Sequence, residues 1–62
     1  MLEVQRKYAR RLTGRQVRVA CAGGGIVDGG LMSFNGHSLW LVHDDEDRFV
    51  SIHDVVGLVP RG

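Results

Sequence analysis

The chain is 62 residues long, enough for one domain, and a domain of that size buries only about 60% of the surface its unfolded chain exposes. With one cysteine and no paired Cys/His spacing, neither a disulfide framework nor a metal staple can support so small a core, so the sequence predicts a homo-oligomer. The net charge of +1 hides an asymmetry: Arg6, Lys7, Arg10, Arg11, Arg15 and Arg18 face only Glu3 in the first eighteen residues, a balance of +5, while Asp44, Asp45, Glu46 and Asp47 form a run of −4.

The first element predicted is a short amphipathic helix over residues 3–12, where Leu2, Tyr8, Ala9 and Leu12 fall near helical spacing and basic residues lie between them. Gly14 is its stop. "QVRVAC" then changes period, with Val17, Val19 and Cys21 alternating with Gln16, Arg18 and Ala20 as in a half-buried strand. "AGGG" is punctuation, and "IVDGGLMSF" is a second strand with Val27, Leu31 and Ser33 on one face. Gly29 and Gly30 inside it mark a bend or a close backbone approach.

Asn35-Gly36 signals a hairpin before a third strand, "SLWLVH". Leu39 and Leu41 build one of its faces, and Trp40 and Val42 build the other, which needs a cover of its own. "DDED" is the next loop, "RFVSI" a fourth strand, "HDV" a tight connection and "VGLVP" a fifth strand closed by Pro60. A helix and five such short strands predict a mainly β, strongly bent antiparallel small barrel over residues 16–60, the whole chain being one domain.

The glycine run at residues 23–30 is not a phosphate cradle. A Walker loop needs Gly-Lys-Ser/Thr and a dinucleotide fingerprint needs glycines at places one, three and six before a helix, whereas the sixth place from Gly23 is Asp28 and a strand follows. His37, His43 and His53 lie near carboxylates in sequence but in no metal-ligand spacing, and no nucleophile-base-orienter set can be assembled. The sequence therefore predicts no enzyme, no metal and no cofactor. Cys21 reads as a small buried residue of a reducing compartment. No stretch reaches the ~20 apolar residues of a membrane span and the basic amino end leads into no apolar signal region, so a cytoplasmic protein with no membrane partner is expected.

In element order and wording the chain resembles the Sm-like family and, within it, the bacterial RNA-chaperone branch, Hfq. "GGIVDGGLMSFNGHSLWLV" is similar to the first Sm motif at Gly24, Val27, Gly29, Leu31, Phe34 and Asn35, and "FVSIHDVVGLVP" resembles the second. His53 falls at the His of that branch's Tyr-Lys-His signature, and Val59-Pro60 matches its closing pair. The resemblance implies a ring of about six or seven copies, built by pairing the fourth strand of one subunit with the fifth of the next, with Phe49, Val50, Ile52, Val56, Leu58 and Val59 in that interface.

The resemblance also implies single-stranded, uridine-rich RNA as the partner. Phe34, Asn35, Gly36, His37 and His53 then form an inner-rim pocket for a base, and Arg6, Lys7, Arg10 and Arg11 add phosphate contacts. Ser51 and Ile52 stand where the branch has Tyr and Lys, so its pore cation is missing. That departure and the acidic run leave an alternative open: a structural or protein-interaction module that oligomerises without binding RNA.

Overall fold

The computed structural model describes residues 3–61 of the chain. A helix α1 (Glu3–Arg11) leads into β1 (Gln16–Cys21), β2 (Ile26–Phe34), β3 (Ser38–His43) and β4 (Glu46–Ser51); one turn of 3-10 helix (Ile52–Asp54) follows, and then β5 (Val55–Pro60). Ala9 and Leu12 are buried while Lys7, Arg10 and Arg11 are exposed, so α1 is amphipathic, but Tyr8, expected on the apolar side, is exposed. Leu2 lies outside the described residues. The helix tightens at its end, where the Leu12 N–H donates to both Tyr8 O and Ala9 O. Gly14, at φ +90°, then takes the left-handed conformation that reverses the chain, and its N–H donates to Leu31 O at 2.7 Å.

All pairings are antiparallel in the order β4-β3-β2-β1-β5. The bend is made by β2, whose first half pairs with β1 from Ile26 to Gly30 and whose second half pairs with β3 from Gly30 to Phe34. Gly29 sits at the switch, where an added Cβ would lie 2.8 Å from the Val42 carbonyl oxygen. This glycine is there because two strands converge on it. The sheet is strongly bent but not closed, and β4 and β5 are its two free edges.

Val17, Val19, Leu31, Leu39, Leu41 and Ile52 are the largest fully buried side chains, each contributing about 1.5–3 kcal/mol by leaving water. Three expectations need correction. A register shift between Leu31 and Ser33 turns Ser33 out to solvent and off the face of Leu31. The fourth strand starts earlier than expected, so Glu46 and Asp47 are strand residues and only Asp44 and Asp45 form the turn. Ile52 opens the 3-10 turn and does not continue the strand. Among the described residues no polar or charged residue is buried as a whole.

Candidate nucleic-acid interface

The β2–β3 connection is organised by Asn35. Its Oδ1 accepts from the backbone N–H of His37 and of Ser38, both at 2.8 Å, and Gly36 between them takes φ +92°. The side-chain carbonyl is spent on the turn, which leaves Nδ2 as the Asn35 group able to donate to a base edge.

A second turn is tied to the first. The Ile52 N–H donates to His37 O at 2.8 Å, and the 3-10 turn that follows is capped by Ser51, whose Oγ accepts from the His53 N–H at 3.3 Å. Two loops 16 residues apart in sequence thus present His37 and His53, both exposed, at one end of the sheet. The helix supplies a cation to the same place: the Arg10 guanidinium lies 5.3 Å from the centroid of the Phe34 ring, and its Nη2 is 3.7 Å from where a Cβ on Gly36 would stand. Phe34, Asn35, Gly36, His37, His53 and Arg10 are therefore brought together. Phe34 is half-buried, packs against the core and is flanked by Arg10, so the arginine must move before a base can stack on that ring.

The other basic residues divide by their angle around the helix. Arg6, one turn before Arg10, is on the same flank and half-buried, whereas Lys7 and Arg11 point away from the sheet. The sequence groups all four and does not single out Arg10, because its contact with Phe34 spans 24 positions and no local period announces it.

At the edges, Phe49 on β4 is 70% exposed, Val56 and Val59 on β5 are 62% and 51% exposed, and Leu58 is half-buried. Val50 and Ile52 face the chain's own core, so these two residues of the expected interface offer no surface to a neighbour. Trp40, on the outer face of β3, is 36% exposed. It stacks on Phe49 across the strand pair, with centroids 6.3 Å apart and planes 14° apart, and its Nε1 donates to Asp47 Oδ1 at 2.9 Å.

At the far end of β2, Arg18 makes two hydrogen bonds to Asp28, at 2.8 and 3.1 Å, and Arg61 adds a third at 3.0 Å. The hydrogen bond from Arg18, helped by the charge of Arg61, holds the Asp28 carboxyl below the usual carboxylate range. Beside it a cleft of about 220 Å³ opens between Ile26, Val27, Asp28, His43 and Arg48. No group of three or more His, Cys, Asp or Glu side chains is placed to hold a metal among the described residues. No described helix is long and apolar enough to cross a membrane.

No protein-family model and no curated protein matches the sequence. In structure the chain is similar to the pleiotropic translational regulator Hfq, with a TM-score of 0.81 over 98% of this chain and 100% of that one, at 14% identity. At that identity the likeness concerns architecture: the chain has an Sm-like fold resembling that of Hfq.

Proposed function

We propose that the chain is a subunit of a homo-oligomeric ring, cytoplasmic and without enzymatic activity, that binds single-stranded, uridine-rich RNA and serves as a scaffold for RNA pairing or processing. The observation that carries this reading is the junction of Arg10, Phe34 and the Asn35-Gly36-His37 turn with the turn of His53. Single-stranded RNA is recognised by stacking and by hydrogen bonds to exposed base edges, with cations on the phosphates. His37 and His53 offer rings, Asn35 Nδ2 a donor and Arg10 the cation, a role that Ile52, buried at the position of the signature lysine, does not fill. Ring closure would pair β4 of one subunit with β5 of the next, covering Phe49, Val56 and Val59 and removing both free edges.

Anisotropy of a labelled oligouridine across a salt series tests the reading. Affinity should fall with salt by a log–log slope of roughly 0.7 for each phosphate neutralised. Arg10→Ala should lower that slope by about one phosphate's worth, and Asn35→Ala or His53→Ala should weaken binding by about 5- to 10-fold, in line with ~1 kcal/mol per contact. An anisotropy that stays at the value of free oligouridine at every salt concentration would favour the protein-interaction module, for which the buried Ile52 speaks.

A further inference from the structure

The part of α1 that faces away from the RNA junction carries two exposed cations. Lys7 and Arg11, one turn apart, form an outward basic face, and neither has an acidic partner among residues 6–61. The complementary charge stands at the other end of the molecule. Arg10 places the helix against the β2–β3 turn, and β3 then runs from Ser38 to His43, about 17 Å at ~3.3 Å per residue, before it reaches the hairpin of Asp44, Asp45, Glu46 and Asp47. Within the chain those acids have only weak or neutral partners: Asp44 lies 3.3 Å from His43, Glu46 is 3.4 Å from Arg48, and Asp47 accepts from the Trp40 indole.

Neither end can satisfy the other in the same chain, but each can in a second copy. From this we propose that copies of the protein associate head to tail, the outward face of α1 of one docking on the acidic β3–β4 hairpin of the next. An exposed apolar group accompanies the charge on each side. Tyr8, exposed, neighbours Arg11 at i, i+3 along the helix, and Ile26, 58% exposed, lines the cleft next to His43 and Arg48. The net charge of +1 sets up little overall repulsion between copies. Such a contact is heterologous, so it continues from copy to copy and, if the chain forms a ring, stacks ring on ring. It meets the turn end of the β3–β4 hairpin, whereas ring closure would use Phe49 of β4 and Val56 and Val59 of β5.

Sedimentation velocity of the RNA-free full chain tests this. At about 0.01 M salt, where the screening length is ~30 Å, the weight-average mass should be at least about twofold larger than at about 1 M, where it is ~3 Å. The species left at high salt, ring or monomer, reports on the edges alone, so the proposal and the ring reading can fail separately. Two charge-reversed variants provide the decisive arm: Lys7→Glu with Arg11→Glu, and Asp44→Lys with Asp45→Lys, the latter confined to the turn so that β4 is left intact. Each alone, shown to be folded by circular dichroism, should lose the low-salt species, and mixing them one to one should restore it. A wild-type mass independent of salt, a low-salt species that survives in either variant alone, or two folded variants that do not complement each other would overturn the proposal.

Discussion

Asp44 and Asp45 both hold positive φ, 50° and 65°, and together they make the two-residue turn of the β3–β4 hairpin. The left-handed conformation costs an L-residue about 1–2 kcal/mol, less for Asp, and glycine avoids it at an entropic cost of roughly 0.5–1 kcal/mol. Asp45→Gly should therefore stabilise the fold by about 0.5 kcal/mol and raise the melting temperature by about 2–4 °C, measured at fixed protein concentration. A melting temperature that stays the same or falls would count against a strained turn. These residues also show what one sequence hides. Asn35-Gly36 does mark a hairpin, but Asn35 works through its side chain and only Gly36 goes left-handed, whereas "DDED" reads as charge and contains the tighter turn.

The two free edges and the tie between strand ends are properties of elements. Phe49, exposed on β4 and stacked on Trp40, can be changed without touching the core, so Phe49→Lys should leave circular dichroism intact and reduce the oligomer to monomers at micromolar concentration. An oligomer of unchanged mass would mean that assembly uses another surface. Ile52→Asp is no substitute for that test, because Ile52 is fully buried and the fold would go with it. The sequence shows that β4 is a strand but not which of its neighbouring apolar residues points inward. Phe49 and Val50 are both apolar, and only the pairing of Val50 with Leu39 decides it.

At the other end, Asp28 on β2 bonds Arg18 on β1 and Arg61 beyond β5. Its folded-state pKa is depressed, so its contribution to stability is present above the unfolded value of ~3.9 and is lost as pH falls through the folded value. Unfolding followed from pH 6 to pH 2 should show Asp28→Asn with a shallower fall below about pH 4 than wild type. Parallel curves would mean that the tie adds nothing.

For the whole molecule, one helix and an open, strongly bent five-stranded sheet make an Sm-like architecture whose two edge strands, β4 and β5, leave Phe49, Val56 and Val59 exposed. That much was legible in the helix-then-five-strands order, in the glycines where β2 bends and in the two motif-like stretches. The site was legible only as separate pieces. Asn35, His37 and His53 stood out by type and position, but the hydrogen bond that joins their turns and the arginine laid on Phe34 are tertiary, with no local pattern to reveal them.

The central claim is that this chain assembles through its edges and binds RNA at the junction those turns create. Native mass spectrometry of nucleic-acid-free protein mixed with a short oligouridine reads both halves together. The account predicts a closed ring carrying RNA; a bare ring would contradict the RNA half, and a bare monomer would contradict both.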